Sequence, residues 1–286
     1  PDNIRLVAKL LISLAIAPLT IALFNTSTFA AEEKYLPDGV SASELIDSYT
    51  EVAFFNEVTG EKHTLRKFPQ DAVVDIVLVP QDSIFDTPGY VHELIALTAN
   101  VAEKLNGALP KPALNALSAN ESIDFLFSFA PGGTPKTENW IMVIVGSVDE
   151  LKNMMDLFET GLPGVFDILR QKVLPVIEAR NDDDLNCFAQ GFVAKSDGAS
   201  LVSGLVFIQD NSFVEACLYE EVMQMFGLAN DLPFGSPSIF NDDNVYDLPT
   251  PLDLAMWKLH FLPELKPGME LEQARTVILD LLSDTE

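Results

Sequence analysis

Three side chains that can move a proton or hold a cation, Glu220, Glu221 and Gln224, sit in a stretch whose apolar residues Val214, Leu218, Val222 and Met225 recur at helical spacing. That spacing predicts a helix with a buried stripe, and Gly227 just past the last apolar position predicts its end. Glu220 and Gln224 are four apart and so share a helical face, with Glu221 beside them. Asn230 and Asp231 follow after a short loop, and Asn241, Asp242 and Asp243 form an acidic loop beyond. This is the layout of a metal-binding helix with other side chains in the ligand places. The glycine turn is expected to fold the chain back so that all of these residues converge on one cleft.

Two chemistries and one bland alternative fit this set. A carboxylate at Glu221, buried beside Gln224, would have a raised pKa and serve as general acid or base. Oxygen donors from Asp231, Asn241, Asp242 and Asp243 suit calcium or magnesium. Zinc prefers imidazole and thiolate, and a Gln, an Asn and a carboxylate make a poor zinc set, so no zinc cofactor is expected. The histidines do not change this, since His63, His92 and His260 fall in three separate elements and the position four after His92 is Ala96. The bland alternative is that these polar residues cap a helix and satisfy turn backbone.

The elements that must position them read as follows. Residues 32–48 look like a polar lead-in, and Tyr49–Phe55 like a strand turning at Thr59-Gly60 into Thr64–Phe68. Val73–Val79 is a β-branched strand, and Thr87-Pro88 opens a long helix that Gly107 stops. After a connection over 108–120, Ile123–Phe129 alternates aromatics as a strand would, and Trp140–Val145 is another strand. Asp149–Phe158 and Val165–Ile177 read as helices. Cys187–Val193 and Leu201–Ile208 form a strand pair turned by Asp197-Gly198, leading into the helix over 214–226. Thr250-Pro251 caps a helix to His260, with Asp253 placed for a reciprocal cap, and a last helix runs over Leu271–Leu282. Strands 73–79, 123–129, 140–145 and 201–208 are expected in one mixed sheet with helices 88–106 and 214–226 on the same side, an α+β architecture.

Residues 1–31 read as a secretory signal: Arg5 and Lys9 precede the apolar run Leu10–Phe24, and small residues follow at Ala30-Ala31. The run is shorter than the roughly 20 residues a membrane span needs, so contact with a membrane is expected only through an uncleaved signal segment. A single domain is expected from about residue 36 to 286, exported to the periplasm or secreted. With 17 basic and 43 acidic residues the net charge is −26, which argues against nucleic acid and anionic lipid as partners. Cys187 and Cys217 are the only cysteines. Export favours their pairing, in a loop whose closure stabilises by roughly 3 kcal/mol. The alternative is a pair of buried free thiols.

Two resemblances add to this reading. The zinc peptidases of the metzincin kind carry H-E-x-x-H-x-x-G-x-x-H, which falls on Glu220-Glu221-x-x-Gln224-x-x-Gly227-x-x-Asn230. The glycine and the base position match; the three ligand positions do not. Leu201–Ile208 resembles the edge strand before such a helix, Ser238-Ile239-Phe240 the methionine turn with Phe240 for the methionine, and Asp253 a residue early in the next helix. More closely, Cys217, Glu220-Glu221, Gln224, Gly227-Leu228, Asn230-Asp231, Phe240–Asp243 and Pro267-Gly268-Met269 resemble a bacterial family of exported proteins known as domain of unknown function number 2927. The resemblance implies a zincin-like mixed sheet with a long backing helix, a central cleft helix and C-terminal helices, its metal ligands replaced. It brings no established activity. The expected role is therefore a non-catalytic module that binds a peptide or protein, and the alternative is a peptidase-like hydrolase working through Glu221 with a hard metal ion or none.

Overall fold

The computed structural model of the chain describes residues 36–56, 60–80, 88–128, 137–150, 187–210, 214–241 and 246–283, with isolated positions between 152 and 175. The predicted signal segment, nearly all of the two helices expected over 149–177, and Asp242 and Asp243 lie outside the described residues.

The molecule is α+β, built on a five-stranded mixed sheet. Its strands are β1 (Val74–Pro80), β2 (Leu114–Ala116), β3 (Trp140–Gly146), β4 (Cys187–Val193) and β5 (Leu201–Gln209), in spatial order β2-β1-β3-β5-β4. The first four in that order run parallel, and β4 closes one edge antiparallel to β5. In chain order the helices are α1 (Ala42–Phe54), α2 (Pro88–Gly107), α3 (Ala119–Ser128), α4 (Val214–Met225), α5 (Pro251–His260) and α6 (Leu271–Ser283).

Alternation along the strands divides the core. Val74, Ile76 and Leu78 of β1, with Ile141, Val143 and Val145 of β3, face α2 and α4, whose Leu94, Val101, Leu105, Leu218 and Val222 join the same cluster. Both helices thus pack on one side of the sheet, as the sequence predicts. Val77, Val79, Met142, Ile144, Leu205 and Phe207 face the other way and meet Phe125 of α3. Strands covered on both faces need the continuous apolar runs that β1 and β3 show.

Several sequence expectations are corrected. The strand expected from Tyr49 is instead the end of α1; the turn expected at Gly60 stands, with φ +63° and Gly60 N donating to Asn56 O (2.7 Å), and an extended strap rather than a strand follows it. Ser41 and Glu44 form a reciprocal cap, and Leu45, Ile46, Tyr49, Val52 and Ala53 are buried at the spacing of a helix, not of a strand. The polar lead-in thus becomes helical from Ala42. After α1, Phe55 meets Lys62 in a single antiparallel bridge, and the chain runs on to Lys67, which bridges to Ser200 in parallel. Of the residues expected as a strand over 123–129, those to Ser128 belong to α3, which starts at a cap where Glu121 accepts from the Ser118 backbone (2.9 Å) and Ser118 Oγ accepts in return (3.4 Å). Aromatic alternation over so short a run mimics a strand, but the cap upstream sets the helix. The connection over 108–120 contains β2. Leu201–Ile208 is internal to the sheet rather than its edge, because β4 pairs outside it.

Candidate functional site

α4 is buried on almost every side. Val214, Cys217, Leu218, Tyr219, Glu221, Val222, Met223, Gln224 and Met225 all lie inside, so its polar residues are held among apolar ones. Glu221 is 4 % exposed and Gln224 7 %, while Glu220 is half-buried. The last turn closes through Phe226 N to Met223 O (3.1 Å) and Gly227 N to Gln224 O (2.8 Å). Gly227 has φ +115°, and a Cβ there would stand 1.8 Å from the Arg66 carbonyl oxygen. Only glycine allows the strap to pass this close. Met225 sits down on the sheet in the same way, over Gly204, where an added Cβ would lie 2.5 Å from its sulfur.

Cys187 at the start of β4 is disulfide-bonded to Cys217 in α4, with Cα atoms 5.8 Å apart, so the edge strand is covalently tied to the helix. The free-thiol alternative is thereby removed, since no free cysteine remains.

Beyond Gly227, the residues expected to converge take separate roles. The Asn230 backbone N–H donates to Val52 O (3.1 Å), and its side chain donates to Glu51 Oε1 (3.0 Å) and Asp231 O (3.2 Å), docking the loop on α1. Asn241 Nδ2 donates to the carbonyls of Ser236 (2.9 Å) and Ser238 (2.7 Å), holding its own turn. Asp253, fully buried, accepts from Ser238 Oγ, Ile239 N (3.1 Å) and Thr250 N (2.7 Å). One carboxylate thus caps α5 and fixes the 238–240 turn against it. Burial pushes its pKa up, and these hydrogen bonds pull it back.

Behind the turn lies a second polar group. His260 Nε2 is 2.7 Å from Phe226 O, a carbonyl that can only accept, so the ring carries its proton there and Nδ1 accepts from the Tyr49 hydroxyl at 3.2 Å. Burial, then the Lys67 charge, pushes the His260 pKa down to about 3. Lys67, 3 % exposed, donates to the carbonyls of His260 (2.6 Å), Leu262 (3.3 Å) and Leu265 (2.9 Å), closing the C-terminus of α5. Burial lowers its pKa to about 8, which leaves it protonated at pH 7.

A pocket of about 370 Å³ opens on the other side of Gly227. One wall is Phe188–Gly191 of the edge strand β4, with Leu201; another is Gln224, Met225, Gly227 and Ala229; the third is Asn56, Glu61, Lys62, His63 and Arg66 of the strap. Of the residues singled out in the sequence, Gln224 lines it, and Glu220, Glu221, Asn230, Asp231 and Asn241 are not among its lining. His63 Nδ1 lies 2.8 Å from Thr64 O and Nε2 3.1 Å from Phe55 O. Its pKa is lowered, first by burial and then by the Arg66 charge, against the raising effect of the two carbonyls. The strap residues went unrecognised in the sequence, although Lys62, His63, Arg66 and Lys67 fall within six positions of a chain carrying 43 acidic residues. That local reversal of charge was the available signal. Among the described residues, no group of three or more His, Cys, Asp or Glu side chains is arranged to hold a metal, and no helix is long and apolar enough to cross a membrane.

The fold and pocket define an α+β protein with a disulfide-tethered edge strand flanking a polar cleft. The chain belongs to the family described as protein of unknown function (DUF2927), whose model matches residues 42–280, from the start of α1 into α6. No curated protein and no solved structure matches it.

Proposed function

We propose that this is an exported, non-catalytic, zincin-like protein that binds an extended peptide along β4, with the pocket beside Gln224 receiving a side chain. The observation that carries the reading is the position of the pocket, which is bounded by β4, the sheet's last strand, and by the end of α4. A sheet edge offers main-chain donors and acceptors to an added strand, and an adjacent pocket selects a side chain. Gln190 Nε2 donates to Gly191 O at 2.8 Å, occupying an edge-strand carbonyl with a side chain that a ligand N–H can displace. The zincin-like reading is supported by the glycine-terminated helix after β5, by the 238–240 turn held on Asp253, and by an antiparallel strand at the cleft edge. In the sequence, Glu220, Gln224 and Asn230 fall at the positions where the zinc-peptidase pattern carries histidines. The disulfide is compatible with an extracellular location.

Hydrogen exchange tests the binding reading: a bound peptide is expected to protect amides of β4 and leave those of β2, the opposite edge, unchanged. Equal protection at both edges would sink it. Burial of Glu221 favours hydrolysis as the second reading. On the binding reading Glu221→Gln leaves peptide affinity within about twofold; on the hydrolytic one it abolishes peptide cleavage, because an amide cannot accept the proton.

A further inference from the structure

From the charge of its walls we infer that the pocket is built for a carboxylate side chain, so that the peptide it takes is acidic at the position seated against Arg66 and Lys62. This rests on the peptide-binding reading above and adds the chemistry of the residue selected.

The chain carries 17 Lys and Arg against 43 Asp and Glu, so an anion is repelled from most of its surface. The strap reverses that locally, bringing Lys62 and Arg66 to the pocket wall with Glu61 as the one acidic lining residue and His63 between. Arg66 is half-buried, and burial already lowers its pKa. Among the described residues its guanidinium has neither a hydrogen bond nor an ion pair. A guanidinium taken partly out of water is stabilised by a planar, two-oxygen acceptor, which a carboxylate provides and a neutral amide does not. Position 66 cannot retreat, because its carbonyl is packed against Gly227. One residue with a side-chain amide stands on each of the three walls, Asn56, Gln190 and Gln224, so the lining is polar throughout. At about 370 Å³ the space lies at the small end of the roughly 300–1,000 Å³ typical of ligand pockets, which fits one side chain rather than a whole peptide.

Calorimetric titration of the full chain tests this with hexapeptides acetylated and amidated at their ends, identical except for a central Glu or Gln. The Glu peptide is expected to bind about ten- to a hundredfold more tightly, the range of one charge-assisted hydrogen-bonded pair. Arg66→Gln should erase that preference by weakening the Glu peptide about ten- to a hundredfold, and Arg66→Lys, which keeps the charge but not the fork, should restore part of it. Circular dichroism identical to the parent confirms that each variant is folded. Equal binding of the two peptides overturns the carboxylate assignment and leaves strand addition standing. A preference for a Gln peptide with a free terminal carboxylate over the Glu peptide also overturns it. A Glu peptide N-methylated along its backbone that binds as well as the unmethylated one removes strand addition and leaves the carboxylate pocket. Absence of binding by every peptide at millimolar concentration defeats both.

Discussion

The Gly227 turn has an imidazole on each side of it, and the two live under different rules. His260 is buried, with one nitrogen donating to Phe226 O and the other accepting from Tyr49, so the neutral ring is fully satisfied. His63, at the pocket, faces a carbonyl with each nitrogen, and a neutral ring has only one proton to give. Around His260 the polar groups answer one another: Lys67 closes α5, and Trp257 Nε1 donates to Leu105 O at 3.1 Å. Around His63 they do not, since Lys62 and Arg66 form no ion pair among the described residues. A polar group buried with its partners holds the fold together, whereas one left short of partners beside a cavity is where the proposed ligand would supply them.

The largest effect that would break this contrast comes from the turn between the two rings. Gly227→Ala places a carbon 1.8 Å from the Arg66 carbonyl at φ +115° and is expected to cost more than about 4 kcal/mol. Gly235→Ala, at φ +84° with open space around it, should cost about 1–2 kcal/mol. Urea unfolding of the two variants measures the difference, and similar midpoints would mean that the strap does not press on the turn.

Reduction of Cys187–Cys217 is expected to loosen the pocket side first, because the bond ties β4 to α4. Opening a crosslink of separation 30 is expected to remove roughly 3–4 kcal/mol, and hydrogen exchange should show β4 losing protection before the amides around His260. Simultaneous loss at both would make the two sides one cooperative unit.

Acid should act chiefly on the buried side. The folded pKa of His260 is pushed down to about 3, below the ordinary 6.5, so the unfolded state binds the extra proton first. Its contribution is complete above pH 6.5 and is lost as pH falls towards 3, at up to about 1.4 kcal/mol per unit. From pH 6.5 to 5 this amounts to roughly 2 kcal/mol, measurable as a falling urea midpoint. His260→Gln should flatten that slope. The smallest effect sharpens the contrast: His63→Gln, on the pocket wall, is expected to change stability at pH 7 by no more than about 0.5 kcal/mol.

How much of this was legible depended on how local each signal is. The helix over 214–225, its glycine stop and the Thr250–Asp253 cap are written in adjacent residues and stand as read. α1 and α3 were misread because Tyr49–Phe55 and Ile123–Phe129 carry aromatics and β-branched residues that suit strands, while the deciding caps, Ser41 with Glu44 and Ser118 with Glu121, lie just upstream. The cleft was legible only in part, through Gln224. Its other walls come from Asn56, residues 61–63 and Arg66, and from residues 188–191, which share no pattern and meet only because the strap crosses between β5 and the end of α5. The loop residues drew attention by composition, and Asn230 and Asn241 turn out to be bonded to α1 and to their own turn.

The strap has a consequence in time. Lys67 finds its three carbonyls 193 to 198 residues further along the chain, and Leu65 exchanges hydrogen bonds with Gly268 and Met269. A ribosome adding about 5–20 residues per second needs roughly 10–40 s to supply those partners. Until then the strap has nowhere to dock, and Leu65 and Phe68, buried in the finished protein, stay in water. Docking of the strap therefore waits for residues 260–269 to be made, a long-range topology that slows folding.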